Sequence, residues 1–358
     1  MLQKISRKIL REMVRKSPTL VLFILITQMT SALAQMTNKF TSMTSDELQV
    51  ISQHSTPVPT AKIKVFSWNV SGDAFIKNPA LFKALINQAQ ANILLLDEVS
   101  GNTTLSQIRA ALPISQNNDD DWQLSFGKSG GRQRAIIASR LPMQPLTEFS
   151  QIVPYPEPEK IRLRQRMAQA GELKYAESLD LGIPVNGAIV RSDNKRLLLV
   201  SVDLECCGSK PSSWEEDKRR VEVTAIRTLI QNIIKRTQVD GIIVAGDFNL
   251  VSTVMPLVII AGPYQQPHAA LLAAELKHIN GQQTWTWDGR GTDYPSRVMD
   301  LVLYSPQSLE LIAGYVFNPE NLSLQQQNEL GLAAKGFAKI SEHLPLMSKF
   351  NWVISSSK

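Results

Sequence analysis

The chain has 358 residues, of which 43% are hydrophobic and 20% charged, and its formal net charge is +6 at pH 7. This apolar fraction is ample for a packed core in one large domain or two ordinary ones, which excludes a chain too polar to fold. The only cysteines, Cys206 and Cys207, are adjacent and have no nearby histidine, which argues against a zinc site. They either close a strained vicinal disulfide or remain two thiols.

The N-terminus carries the three-part pattern of a secretory signal. Residues 1–17 hold six basic side chains and one acidic side chain, and the apolar run 20–26 and the small-x-small triplet 32–34 follow. We predict that residues 1–34 are a signal peptide, cleaved before Gln35, and that the mature protein is secreted or periplasmic. The apolar run is shorter than the ~20 residues of a spanning helix. A membrane anchor formed by an uncleaved N-terminal segment is the alternative.

Loss of the signal peptide changes the charge argument. The removed segment carries a net charge of +5, so a chain of +6 becomes a mature protein of +1. A near-neutral protein is not favoured as a binder of long polyanions, which demand many cations. One basic run remains at residues 160–166, and it fits either a phosphate-binding surface or, as we favour, a solvated helix face.

Strand-like and helix-like patterns alternate along the mature chain. Residues 35–60, rich in Thr, Ser, Gln and Pro, are predicted to be a flexible lead-in, and residues 61–355 a single domain. Short apolar runs predict strands at 63–69, 93–96, 134–139, 183–191, 196–204, 241–245, 298–304 and 311–317. Helical spacing predicts helices at 79–90, 103–111 and 213–234, and a helix-like centre at about 159–172. That centre lies in an insertion, 153–181, which either overhangs a groove or is a surface feature.

Polar side chains stand at the ends of several of these apolar strands. They are Asn69, the pair Asp97 and Glu98, the pair Asp247 and Asn249, Asp300, and the pair Glu342 and His343. A strand that ends in a carboxylate or an amide delivers that group to the edge of a sheet. Such an edge can hold a metal-bound water and a phosphoryl oxygen.

In this order and spacing, the clusters resemble the endonuclease/exonuclease/phosphatase superfamily, from about Lys62 to about Trp352. The resemblance implies an α/β fold, a four-layered sandwich of two mixed β-sheets packed face to face with helices outside. It also implies a catalytic groove along one edge of the sandwich. The expected activity is that of a Mg²⁺- or Mn²⁺-dependent hydrolase acting on phosphoric ester bonds.

The resemblance gives four of the polar residues a role near the metal or the phosphate. Glu98 matches the family's metal glutamate, and Asn69 matches an asparagine that helps to place metal and phosphate. Asp247 resembles the aspartate that orients or deprotonates the attacking water. Asn249 resembles the amide that hydrogen-bonds the phosphate, which it can do without adding a proton equilibrium.

The C-terminal residues complete the set that the resemblance implies. His343 resembles the histidine that contacts the scissile phosphate and acts as acid or base, and Asp300 occupies the position of its orienting carboxylate. Glu342 stands where the family usually has aspartate. We predict that Glu342 ligates the metal, with oxygens that its extra methylene carries further from the backbone.

Asp203 departs from the family pattern, because many members carry a histidine there. An ionised aspartate cannot donate a hydrogen bond to a phosphoryl oxygen and would repel it. We predict that Asp203 contacts the metal or a neighbouring cation; the alternative is that this branch replaces the histidine differently. Arg132 and Arg134 either supply positive charge near the phosphate or are solvated surface residues.

The leading interpretation is an exported phosphoesterase that hydrolyses phosphodiester or phosphomonoester bonds, with an endonuclease as one form of it. Its substrate would then be a nucleic acid, and a phospholipid or inositol-phosphate hydrolase is the alternative. The departures at Asp203 and Glu342 motivate a second alternative, a catalytically weakened binding protein. No stable protein partner is implied, and a monomer is expected.

Overall fold

The computed structural model describes residues 61–72, 74–114, 122–263, 270–332 and 341–354. The predicted signal peptide, residues 1–34, and the predicted lead-in, residues 35–60, lie outside the described residues. A compact unit begins at Ala61. No helix in the described ranges has the length and apolarity that a membrane span requires.

Twelve strands form two sheets in the described part of the chain. They are β1 (Ile63–Asn69), β2 (Ile93–Ser100), β3 (Gln123–Phe126), β4 (Gln133–Ser139), β5 (Met143–Pro145), β6 (Val185–Ser192), β7 (Lys195–Asp203), β8 (Gly241–Asp247), β9 (Leu272–Ala273), β10 (Asp300–Tyr304), β11 (Leu309–Val316) and β12 (Leu346–Trp352). Sheet 1 has the order β11-β12-β1-β2-β4-β3, and sheet 2 the order β5-β6-β7-β8-β10-β9. Both sheets are mixed, because β1 and β2 pair in parallel in one, and β7 and β8 in the other.

Seven helices accompany the sheets in the same ranges. They are α1 (Ala74–Lys77), α2 (Pro79–Ala89), α3 (Leu105–Ala111), α4 (Glu157–Gln169), α5 (Trp214–Arg236), α6 (Met255–Ala261) and α7 (Leu324–Glu329). Three 3-10 turns lie at Thr147–Phe149, Leu173–Asp180 and Pro319–Asn321. Two mixed six-stranded sheets with helices confirm the predicted α/β sandwich.

The alternation of side chains along β7 explains how the layers stack. Leu197 and Leu199 belong to the core between the two sheets, where they join residues of β2 and β4. Leu198 and Val200, one residue out of phase, belong to the core that sheet 2 shares with α5. A strand buried on both faces is apolar throughout, and this is the pattern that the sequence shows at 197–200.

Helix α5 positions the loop that follows β7. The helix begins where the sequence predicts, with the Ser213 side chain accepting a hydrogen bond from the Glu216 amide at 3.3 Å. Inside the protein, the buried Arg219 pairs with Glu216 at 3.1 Å. Arg219 also donates to the Glu205 carbonyl at 2.7 Å, so the loop is fastened to the helix. The two cysteines of this loop are free thiols.

The basic run 160–166 lies on α4, in the insertion, and its cations are paired within the chain. The pairs are Lys160 with Asp180 at 2.6 Å, Arg164 with Asp180 at 2.8 Å, Arg162 with Asp217 at 3.3 Å, and Arg166 with Asp217 at 3.0 Å. Two of these pairs reach α5, so they join the insertion to the main body. The helix-face interpretation therefore accounts for the run better than a phosphate-binding surface does.

Candidate active site

The polar residues at the strand ends meet at one edge of the sandwich. In sheet 2 the register places Asp247 beside Asp203 on one side and beside Asp300 on the other. In sheet 1 Asn69 of β1 is aligned with Asp97 of β2. The Asn69 side-chain amide donates to Asp247 Oδ2 at 3.2 Å, so it joins the two sheets at this edge.

Glu98 reaches the site through an irregularity in β2. The register between β2 and β4 shifts between Leu96 and Val99, and Glu98 has a φ of 53°. A left-handed conformation at a non-glycine residue costs roughly 1–3 kcal/mol, and such strain persists where the surrounding structure holds it. Here the Glu98 carboxylate accepts hydrogen bonds from Asn69 Nδ2 at 2.9 Å and from Gln133 Nε2 at 2.6 Å. The bulge thus aims a carboxylate into the site.

Asp247 lies at the end of β8 and is fully buried. Its Oδ1 accepts a hydrogen bond from the Asn249 amide at 2.8 Å. Gly246, the preceding residue, has a φ of 136°, and a Cβ there would collide with the Val202 carbonyl. Burial raises the pKa of Asp247 to about 7, although His343 acts to lower it. A carboxyl group with that pKa can take up and release a proton near neutral pH.

Asn249 follows with a φ of 45°, and its position is also fixed by the backbone. Its Nδ2 donates to the Leu204 carbonyl at 2.9 Å, which ties the loop after β8 to the loop after β7. A side-chain amide has two N–H donors. The second donor is the one that can serve the predicted contact with a phosphate.

His343 and Asp300 form a hydrogen-bonded pair. His343 Nδ1 lies 2.9 Å from Asp300 Oδ2, and the same oxygen accepts from Thr286 Oγ1 at 2.6 Å. His343 Nε2 lies 3.7 Å from Asp247 Oδ2. Burial alone would lower the pKa of His343, but Asp300 and Asp247 outweigh it and raise that pKa to about 10. The two carboxylates therefore favour the protonated imidazole, which is held at Nδ1 with Nε2 towards Asp247.

The segment that carries His343 is fastened to β1. Trp68 Nε1 donates to the His343 carbonyl at 2.9 Å. Ser341 Oγ donates to the Asn69 carbonyl at 2.8 Å and accepts from the His343 amide at 3.0 Å. Residues that lie more than 270 positions apart in the sequence thus hold the imidazole in place.

Two groups of side chains have ligand atoms within 4.8 Å of one another: Glu98 with Asp203 and Asp247, and Asp247 with Asp300 and His343. The first group offers three carboxylates, and oxygen is the donor that Mg²⁺ and Mn²⁺ prefer. It fits the metal that the family resemblance implies. In the second group Asp300 Oδ2 is already bonded to the imidazole and to Thr286, so this group fits a proton-transfer role better.

Glu342, predicted as a metal ligand, lies outside both groups. Its side chain is exposed, and its Oε2 accepts a hydrogen bond from Trp287 Nε1 at 3.3 Å. Trp287 pairs with His343 as an isolated bridge. Neighbouring residues of an extended segment point to opposite sides, so the inward turn of His343 sends Glu342 outward.

Arg134, one of the two arginines for which the sequence left open a phosphate contact or a solvated surface position, is engaged away from the carboxylate groups. Arg134 donates Nε to the Gly131 carbonyl at 3.2 Å, and its guanidinium lies over the Phe126 ring. Arg132 is exposed. The residue between them, Gln133, is the one that contacts Glu98. Alternation along β4 therefore gives the site an amide where the sequence suggested cations.

The structure adds three residues that the sequence did not place at the site, namely Gln133, Thr286 and Ser341. It also buries Asp97, which the sequence placed at a strand end without a role. Asp97 had a local signal, because an acid at the end of an apolar strand is itself unusual. No local sequence pattern identifies Gln133 or Thr286 as site residues. Gln133 hydrogen-bonds to a carboxylate 35 positions away in the sequence, and Thr286 to a carboxylate 14 positions away.

Comparison with known proteins agrees with the fold. The model of the Endonuclease/Exonuclease/phosphatase family matches residues 66–343. An endonuclease/exonuclease/phosphatase from Bacteroides vulgatus is similar with a TM-score of 0.51 and 13% identity, over 81% of this chain and 99% of that chain. For TDP2 from Caenorhabditis elegans the TM-score is 0.50 with 11% identity, over 86% and 81%.

A third similar structure, the catalytic domain of human Nocturnin, has a TM-score of 0.47 and 17% identity, over 81% of this chain and 94% of that chain. No functionally curated protein matches the sequence. At these identities the structural likeness concerns the fold alone, whereas the family model covers most of the chain. The chain belongs to the endonuclease/exonuclease/phosphatase family.

Proposed function

We propose that the protein is a divalent-metal-dependent phosphoesterase that uses Mg²⁺ or Mn²⁺ to hydrolyse phosphodiester or phosphomonoester bonds. One observation carries the proposal. The oxygens of Glu98, Asp203 and Asp247 converge within 4.8 Å, and the hydrogen-bonded pair of His343 and Asp300 stands beside them. Phosphate ester cleavage by this chemistry needs a metal site and an oriented acid or base. The carboxylate cluster can supply the first and the oriented imidazole the second.

The metal would be held by Glu98, Asp203 and Asp247. Bound there, it would neutralise charge on the phosphoryl oxygens and polarise the ester. Asp247 would orient the attacking water and accept its proton, which is the role that the family resemblance implies. His343 donates Nε2–H to an anionic oxygen of the substrate, and Asp300 keeps the Nδ1 proton in place.

The charge distribution favours a substrate with few phosphates. The mature protein is nearly neutral, and the four basic side chains of the run 160–166 form ion pairs with Asp180 and Asp217. Binding a long polyanion demands many unpaired cations. A short nucleic acid end, a phospholipid or an inositol phosphate is compatible with this surface, and an endonuclease acting on long duplexes is less so.

The test is a turnover assay with a matched inactive control. The mature protein is incubated with Mg²⁺, with Mn²⁺ or with EDTA, and separately with plasmid DNA, RNA, sphingomyelin, inositol phosphates and a generic phosphodiester. We expect metal-dependent release of product that EDTA abolishes and that His343→Ala lacks. If none of these substrates is hydrolysed, the result favours a binding protein instead.

Export is proposed together with this function. The basic stretch, the short apolar run and the triplet 32–34 lead us to expect a mature N-terminus at or near Gln35. N-terminal sequencing of the protein recovered outside the cytoplasm measures this directly. A stable full-length protein in the cytosol would contradict export.

Asp203 provides a separate prediction. If it contacts the metal, Asp203→Asn is expected to weaken the apparent Mg²⁺ affinity or the turnover by about tenfold or more, or ~1.4 kcal/mol. Turnover is measured against Mg²⁺ concentration for the wild type and the variant, with thermal unfolding alongside. An unchanged metal curve and unchanged turnover would refute the contact, and a loss of stability alone would assign Asp203 to the fold.

A further inference from the structure

The adjacent cysteines, Cys206 and Cys207, lie in the loop that follows β7, three positions beyond Asp203. Both side chains are exposed, and both are free thiols. The loop stands at the edge of the sandwich that carries the candidate active site, because β7 ends at Asp203. A reagent in solution can therefore reach the two sulfurs.

The two sulfurs lie close together for side chains of neighbouring residues. Side chains of consecutive residues in an extended segment point to opposite sides, which keeps them apart. Here Cys207 has a φ of 68° and Gly208 a φ of 69°, so the chain turns through the left-handed region at two consecutive positions. Cys206 Sγ lies 2.7 Å from Cys207 Sγ. The backbone thus presents the two cysteines as a pair on one side of the loop.

Contacts with α5 hold this turn. A left-handed conformation at a residue other than glycine costs free energy, and it persists where its surroundings hold it. The buried Arg219 guanidinium donates to the Cys207 carbonyl at 2.9 Å and to the Glu205 carbonyl at 2.7 Å. Gly208 has no room for a side chain, since a Cβ there would lie 2.5 Å from Ser213 Oγ. The fold therefore fixes the turn, and with it the approach of the two sulfurs.

Cys207 is the better nucleophile of the pair. The thiolate is the reactive form of cysteine, so a lower pKa raises the reactive fraction at neutral pH. A hydrogen bond from the Cys206 thiol lowers the pKa of Cys207 to about 7, and Arg219 acts in the same direction against burial, Glu205 and Glu215. The same hydrogen bond, together with burial, raises the pKa of Cys206 above its ordinary value. The two thiols therefore differ in reactivity, although they are neighbours.

We infer that Cys206 and Cys207 form a redox-modification site, which a low-molecular-weight disulfide oxidises to a disulfide between the two neighbours. In the first step the Cys207 thiolate attacks one sulfur of the reagent R–S–S–R, forms a mixed disulfide and releases RS⁻. In the second step Cys206 loses its proton, and its sulfur attacks the Cys207 sulfur and releases the other RS⁻. The two RS⁻ ions take up the two protons that the cysteines lose, so two thiols and one R–S–S–R give one protein disulfide and two RSH.

The bond between the two neighbours is expected to be easily reversed. A disulfide usually joins Cα atoms about 4.4–6.8 Å apart, whereas consecutive Cα atoms lie ~3.8 Å apart across a trans peptide. A departure from the usual geometry strains the bond and makes it more reducible. Strained or exposed disulfides are the labile ones. We therefore expect the state of the pair to follow the ratio of disulfide to thiol around the protein.

The test needs neither metal nor substrate. The reduced protein is incubated with glutathione disulfide, its remaining thiols are labelled with iodoacetamide, and its intact mass is measured. We expect both thiols to be lost, the mass to fall by two hydrogen atoms with no glutathione retained, and dithiothreitol to restore both thiols. The double variant Cys206→Ser with Cys207→Ser is the blank, because the chain has no other cysteine.

Three results for the wild type would overturn the inference. They are two unreacted thiols, a mixed disulfide that stays on the protein, and a disulfide that joins two chains. Thermal unfolding of the reduced proteins checks that the variants fold, which we expect because both positions are exposed.

Each single serine variant isolates one step of the reaction. Cys206→Ser keeps a hydroxyl that can donate to Cys207, and it is expected to stop at the mixed disulfide. Cys207→Ser is expected to react about tenfold more slowly, because burial and Glu205 still raise the pKa of its remaining thiol. Equal rates for the two variants would overturn the assignment of Cys207 as the attacking thiol.

The unfolded protein gives a matched comparison for the role of the turn. The second step is timed in the native protein and in guanidinium chloride, by acid quenching and intact mass. We expect it to be about tenfold faster in the native protein, since the fold holds the two sulfurs close. Equal rates would show that the turn has no part in it. The inference is independent of the proposed hydrolysis, because a protein that cleaves no ester can still close the pair.

Discussion

Glu98→Gln is expected to abolish metal-dependent hydrolysis, lowering turnover by about 100-fold or more, because a hard cation loses a charged ligand. The metal-free protein should unfold at nearly the same temperature. Glu98 accepts from the amides of Asn69 and Gln133, and the Gln133 amide can rotate to present its oxygen to a glutamine at position 98. Shape and hydrogen bonds are therefore retained while the charge is lost.

The measurement is turnover at saturating Mg²⁺ together with thermal unfolding in EDTA. Glu310→Gln on β11 is a suitable control, since it makes the same chemical change at an exposed position of sheet 1. A Glu98→Gln enzyme that keeps most of its activity at saturating metal would show that Glu98 is not the principal ligand. A large fall in unfolding temperature would instead indicate that the carboxylate serves the fold.

Asp300→Asn and His343→Ala are expected to reduce turnover by similar factors, on the order of 10²–10⁴, which is the range for a positioned acid or base. The double variant should be little worse than either single variant. The reason is that Asp300 Oδ2 holds His343 Nδ1 at 2.9 Å, so removal of either residue disables the same unit. Independent residues would give losses that multiply.

The pH profile of activity provides a further test, because it would not change if Asp300 had a purely structural role. Asp300 raises the pKa of His343, so loss of its charge should lower that pKa. If the imidazolium is the active form, activity on the alkaline side should fall at a lower pH in Asp300→Asn than in the wild type. An unchanged alkaline limb, or multiplicative losses in the double-mutant cycle, would show that the two residues act separately.

Elements with a strong local pattern were predicted close to their observed bounds. The strand predicted at 63–69 coincides with β1, and the helix predicted at 213–234 is α5 with small shifts at its ends. A buried apolar run and a capped amphipathic helix carry their signal within a few neighbouring residues. By contrast β12 was not predicted, although it pairs with both β1 and β11. The strands with which β12 pairs lie elsewhere in the sequence, so no pattern within residues 346–352 alone predicts this strand.

The amino-acid sequence by itself determined most of the long strands along the chain, the resemblance to the family and the set of polar residues at the strand ends. Each of these is written in short runs of residues, such as the apolar strand before Asp247. The tertiary structure alone decided which of these side chains share one gap. It brought Asp97 and Gln133 into the site and left Glu342 outside it. The physical reason is that the direction of a side chain at a bulge or a sheet edge depends on pairing between distant strands, which local sequence does not encode.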